Sequence, residues 1–121
     1  MALPAEYRPD EVVGWKGGVP QELQQLLVDA VRHDLLANRC GGSEQREHYR
    51  HKTRLILEAY RKYQRWFIKP YTEYYNGTLC AVFSPKMGWP NDRGVRTRMH
   101  VPLRRIQGNE FWREQFRFLF N

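Results

Sequence analysis

Apolar positions first recur with a helical rhythm at Leu23, Leu26, Leu27, Ala30, Val31, Leu35 and Leu36, and the spacing predicts a helix over 20–38. Pro20 suits its first turn, and the run Cys40-Gly41-Gly42 stops it, with glycine supplying a left-handed cap. A second helical pattern fills 43–67, with Ser43 as N-cap and Glu44 and Glu47 complementing the dipole at its start. Pro70 sets the far limit, because a residue before proline resists helical geometry. A connection this short predicts that the two helices form an antiparallel hairpin.

Beyond Pro70 the rhythm changes. Asn76-Gly77 lies between two runs rich in β-formers, and both turn positions of a tight hairpin need positive φ. Strands are therefore expected near 71–75 and 78–84. The stretch 85–94, with two prolines and two glycines, reads as a loop. Strict alternation then returns over 95–101. Val95, Thr97, Met99 and Val101 fall on one side, and Arg96, Arg98 and His100 on the other. Pro102 ends this strand or places it at an edge. Asn109 caps a short helix over the remaining residues. Residues 1–19 carry prolines and glycines without periodicity and read as an extended arm. The expected fold is α+β in the order α-α-β-β-β-α: an arm over 1–19, then a single domain over 20–121 with a helical hairpin, a three-stranded antiparallel sheet and a short C-terminal helix.

Composition narrows the class. The chain has 121 residues, 41% hydrophobic and 14% aromatic, enough to close one core. No segment approaches the roughly 18 apolar residues that span a bilayer, and the first residues have neither a basic nor an apolar signal region. Two cysteines far apart make no disulfide framework. Asn76-Gly77-Thr78 matches a glycosylation acceptor, but without export it reads as a turn. A cytoplasmic, reducing location is the expectation.

The formal charge is +7, and it is uneven. Residues 1–42 carry four Lys/Arg against six Asp/Glu, and residues 43–121 carry sixteen against seven, so the halves differ as −2 and +9. Such a surface favours a polyanion, whether nucleic acid, an acidic protein surface or an anionic membrane face. On a helical wheel, Arg46, Arg50, Arg54, Arg61 and Arg65 occupy an arc of roughly 100°. Tyr49, Leu55, Ile56, Ala59, Tyr60, Tyr63, Trp66 and Phe67 lie almost opposite. A solvated face laced with i,i+4 pairs explains the arginine row as well as a ligand does. The preference for Arg over Lys favours phosphate, which its planar fork fits.

The leading expectation is a small protein contacting nucleic-acid phosphates without strong base readout. Its contacts are the arginine row, the strand face of Arg96, Arg98 and His100, and Arg104 and Arg105. Tyr74, Tyr75 and Trp89 are candidates for stacking on unpaired bases, with at least two of the three expected in packing. A second reading is a structural or inhibitory subunit, or a homo-oligomer, that docks through the C-terminal helix. There Phe111, Trp112, Phe116, Phe118, Leu119 and Phe120 cover about 200° of the wheel, more than one packed face needs. A third is metal-free RNA cleavage, with His100 as general acid or base and Arg98 beside the phosphorane. His48 and His51 with Cys40 upstream fall short of four placed ligands, and carboxylates such as Glu58, Glu73 and Asp92 are scattered. No metal and no cofactor are expected.

Overall fold

The computed structural model describes residues 18–90 and 98–120. Two helices, α1 (Gln21–Ala37) and α2 (Gly42–Lys62), pair as a hairpin. They lead into a sheet of β1 (Phe67–Tyr75), β2 (Thr78–Pro85) and β3 (Met99–Pro102), antiparallel throughout in the order β1-β2-β3. Short helices α3 (Leu103–Gln107) and α4 (Glu110–Gln115) and a 3-10 turn over Arg117–Phe120 finish the chain. The expected α+β order therefore stands, with α3 as an addition. The expected arm lies almost wholly outside the described residues, as do Val95, Arg96 and Thr97.

The second helix departs most from the sequence reading. Its N-cap is Gly41, with no side-chain cap bond, so Ser43 does not cap it. Gly42, at φ +61°, helps absorb the reversal out of α1 and starts the helix one residue early. The helix also ends at Lys62, and a 3-10 turn over Gln64–Trp66 passes directly into β1. Pro70 thus sits inside a strand rather than bounding a helix. It is tolerated because β1 is an edge strand among the described residues and the β1–β2 register shifts between Ile68 and Tyr71. Helical periodicity continued to Phe67 in the sequence because Trp66 and Phe67 pack inward from the turn and strand as well as they would from a helix.

The hairpin turn is as the sequence predicts, with Asn76 at φ 51° and Gly77 at φ 77°. Asn109 also caps α4, its Oδ1 accepting from Trp112 N at 3.0 Å.

One core joins Leu23, Leu27 and Val31 of α1, Ile56, Leu57 and Tyr60 of α2, and the β2–β3 face formed by Ala81, Phe83, Met99 and Val101. Tyr60 stands edge-on to Phe67 and Phe83 at 5.5 and 5.9 Å, and Phe116 closes against it at 5.4 Å. Trp89 is fully buried, donating its indole N–H to the Phe83 carbonyl at 2.9 Å. Among the described residues, no helix is long and apolar enough to cross a membrane.

Candidate nucleic-acid interface

Strand alternation builds the site. With Ala81, Phe83, Met99 and Val101 committed to the core, register places Tyr71, Glu73, Tyr75, Thr78, Cys80, Val82 and His100 on the sheet's other face. On that face Glu73 of β1 and His100 of β3 meet across β2, with Oε2 and Nε2 2.6 Å apart. Arg98 donates to Glu73 Oε1 at 3.3 Å and to the Tyr71 hydroxyl at 3.5 Å. The Tyr75 ring lies flat on the His100 imidazole, with centroids 4.1 Å apart and 11° between planes. The His100 hydrogen bond above all, opposed by burial and helped by the Arg98 charge, holds the Glu73 carboxyl below its ordinary value.

This face forms one wall of a cleft of about 640 Å³. The opposite wall comes from Asp34 of α1 and its C-cap residue Asn38, and from Tyr49, Lys52 and Thr53 of α2, with Arg104 and Arg105 of α3 at the end of β3. Lys52 and Asp34 form a buried ion pair at 2.9 Å that ties the two helices together beneath the cleft. Tyr49 donates to Asn38 Oδ1 at 3.3 Å. Arg105 is different in kind. Burial first, then the neighbouring Arg104 and Arg50 charges, lowers its pKa from the usual arginine value. Among the described residues neither Arg104 nor Arg105 makes an ion pair with a carboxylate. Cationic charge is therefore concentrated at the α3 end of the cleft without a carboxylate partner among the described residues.

The arginine row of α2 does not act as a unit. Leu57, fully buried, falls roughly 20° from Arg46 on the wheel, inside the arginine arc. The helix packs against partners over a wider arc than a single apolar stripe suggests. All five guanidiniums are exposed, but their neighbours differ. Arg61 is forked onto Glu58 at 3.0 and 3.1 Å and lies over the Phe111 ring. Arg50 reaches Glu47 at 3.4 Å, and Arg54 contacts His51 at 3.3 Å. Arg65 has left the helix for the 3-10 turn, where it lies over Trp66. Only Arg50 faces Arg105 closely enough to affect it. Arg50 and Arg61 are eleven residues apart, about 16 Å along the axis. Arg46 and Arg54 remain on the exposed face.

Other expected residues separate as well. Tyr74 and Tyr75 are exposed at 75% and 50%, so only Trp89 of the three stacking candidates is packed. In the C-terminal segment Phe116 is core, at 1% exposure, and Trp112, Phe118 and Phe120 are half-buried against that core. Phe111 is the segment's one exposed large hydrophobic among the described residues. The monomer thus absorbs most of the arc that suggested a docking helix.

Glu73 and Lys52 were not singled out from the sequence as parts of the site. Glu73 carries a recoverable signal, because it sits two residues before Tyr75 and so shares its face. Lys52 carries none, since a lysine among apolar wheel positions looks like a snorkelling side chain until its partner on α1 is known. The Cys80 thiol, buried and pushed up chiefly by that burial, donates to the Thr78 carbonyl and is no nucleophile. The chemistry on offer is anion binding by guanidinium forks, ring stacking on Tyr75, and proton transfer at a His–Glu pair. No protein-family model, no curated protein and no solved structure matches this chain.

Proposed function

We propose that the protein binds nucleic acid by its phosphates in the cleft between the α1–α2 hairpin and the Glu73–His100 face of the sheet. The observation that carries this reading is the pair Arg104 and Arg105, adjacent, lining the cleft and without a carboxylate partner among the described residues. Packing like charges is unfavourable unless an anion neutralises them, and a guanidinium fork fits phosphate oxygens. Arg98 and Arg50 extend the cationic path on either side. Tyr75, half exposed at the hairpin end of the cleft, offers an unpaired base the ring face turned away from His100, which favours single strands over duplex.

The test is fluorescence-anisotropy titration of labelled single-stranded and duplex oligonucleotides at several salt concentrations. If each of Arg104 and Arg105 neutralises one phosphate, R104Q/R105Q should lower the salt slope by about 1.4 on single strands, at about 0.7 per phosphate. The loss should be alike for every sequence tested, since phosphate contacts position without specifying. The triple variant R50Q/R54Q/R61Q should lose less per arginine, because Glu58 already occupies Arg61. Unchanged slopes in R104Q/R105Q would overturn the assignment of the cleft.

One observation favours a second reading, metal-free RNA cleavage at the same place. His100 is fixed by Glu73 at 2.6 Å, with Arg98 one bond away from that carboxylate. A histidine oriented by a carboxylate is a general acid–base group, and a neighbouring guanidinium can take up phosphorane charge. RNA incubated with wild type and H100A, with chelator present, decides it. Intact RNA with both proteins leaves binding alone.

A further inference from the structure

A different cluster of chemistry-bearing side chains occupies the corner where α1 turns into α2. Cys40 lies in the turn, and Glu44 and His48 follow at four-residue steps on one face of α2. Their ligand atoms, one sulfur, one carboxylate oxygen and one imidazole nitrogen, all lie within 4.8 Å of one another. Behind His48 stands His33 of α1, with the two Nδ1 atoms 2.9 Å apart, and His51 stacks on His33 at 4.8 Å. None of these side chains lines the cationic cleft.

We propose that Cys40, Glu44 and His48 bind one borderline transition-metal ion, zinc by preference, with a fourth position open to solvent. The donor set selects the metal class, because thiolate and imidazole suit zinc or cobalt and suit magnesium and calcium poorly. Geometry permits it. Zinc bonds of about 2.0–2.3 Å set tetrahedral ligand atoms roughly 3.5 Å apart. The cluster has to contract by about an ångström, and exposed Glu44 can swing to supply that. His33 acts as a positioning residue. Two Nδ1 atoms in hydrogen-bond contact share one proton; with His48 Nδ1–H donating to His33 Nδ1, the bond fixes the His48 ring and leaves its Nε2 lone pair for the metal. On binding, the Cys40 S–H bond breaks, the sulfur lone pair goes to the metal, and the proton leaves to solvent.

The full-length chain, stripped with chelator, is titrated with cobalt(II) under anaerobic conditions. One equivalent should produce a thiolate-to-cobalt charge-transfer band in the near ultraviolet and strong visible bands of a four-coordinate ion, both erased by one equivalent of zinc. C40S should lose the charge-transfer band, and C80S should keep it. E44Q and H48Q should each lower affinity at least about tenfold. H33Q should lower it about 10–100-fold and still show the band at saturation. X-ray absorption of the zinc-loaded wild type should find one sulfur among nitrogen and oxygen neighbours, which needs no variant. Absence of the band at one equivalent overturns the proposal, as does its loss in C80S with retention in C40S, or a zinc shell without sulfur. R104Q/R105Q should bind cobalt like the wild type, so failure of the nucleic-acid reading does not touch this one.

Discussion

Replacing Lys52 by Met separates the cleft's scaffold from the arginine charge proposed to bind phosphate. Methionine keeps most of the lysine stem's packing and removes the ammonium that Asp34 meets at 2.9 Å. The two side chains are 11% and 7% exposed, so the Asp34 carboxylate loses its ammonium partner where water reaches it poorly. Removing one member of a buried pair costs about 3–5 kcal/mol. Partial access to water from the cleft places this case near the lower end, about 3 kcal/mol. At about 4 °C per kcal/mol for a chain of this size, the melting midpoint should fall by about 12 °C. Urea denaturation followed by circular dichroism measures the change. A double-mutant cycle with Asp34→Asn isolates the pairwise part, expected above about 1 kcal/mol. The same variant should leave the salt slope of oligonucleotide binding unaltered, since Lys52 is already neutralised within the protein. R104Q/R105Q should do the opposite, flattening the slope with the midpoint nearly unmoved. A K52M protein within about 0.5 kcal/mol of wild type, or a coupling near zero, would refute the reasoning, because that is how an exposed pair behaves.

The depressed Glu73 value makes stability depend on acid. Its carboxyl holds its proton less tightly folded than unfolded, so the contribution is present above the ordinary value of 4.5 and is lost as pH falls through the lower folded value. E73Q should remove part of the acid-side fall, as denaturation midpoints taken between neutral and strongly acidic pH will show. Asn109→Ala should cost about 1 kcal/mol through loss of the α4 cap, measured by urea titration. Phe111→Ala should change stability by no more than about 1 kcal/mol, since only a ring contact with Arg61 and an edge contact with Trp112 are lost. Light scattering should give the same mass for wild type and F111A, and a lower mass for the variant would restore the docking-helix reading.

Elements built on local rules were legible in the sequence. The α1 stripe, the Asn76-Gly77 turn, the Met99/Val101 alternation and the Asn109 cap each depend on a few neighbouring residues. What was not legible depends on partners distant in the chain. The end of α2 at Lys62 follows from the pairing of Phe67 with Pro85 in the sheet, and Pro70 is acceptable because, among the described residues, no strand pairs beyond β1. Periodicity also gave too narrow a buried face for α2, since Leu57 is buried within the arginine arc. Of the residues that the sequence singled out by type, the structure brings Arg98, His100, Arg104 and Arg105 to the lining of one cleft. Residue type could not rank the α2 arginines, because Glu58 pairs with Arg61 and, of that row, only the charge of Arg50 is felt at Arg105. The sequence sets Cys40 beside the His48/His51 spacing, but in the structure Glu44 is the third member of the cluster and His51 stacks on His33.

Pro70 has a consequence for how this chain meets its own copies. A strand edge that carries Ile68, Tyr71 and Tyr74, all exposed, would ordinarily invite another strand to pair along it. Here proline offers no N–H in the middle of that edge, the adjacent register shift breaks the spacing of the remaining groups, and Lys69 adds a charge. An incoming strand would find an interrupted ladder and a cation to desolvate. The β1 edge is thus guarded against sheet extension and fibre growth, and its tyrosines stay accessible to flat ligands instead.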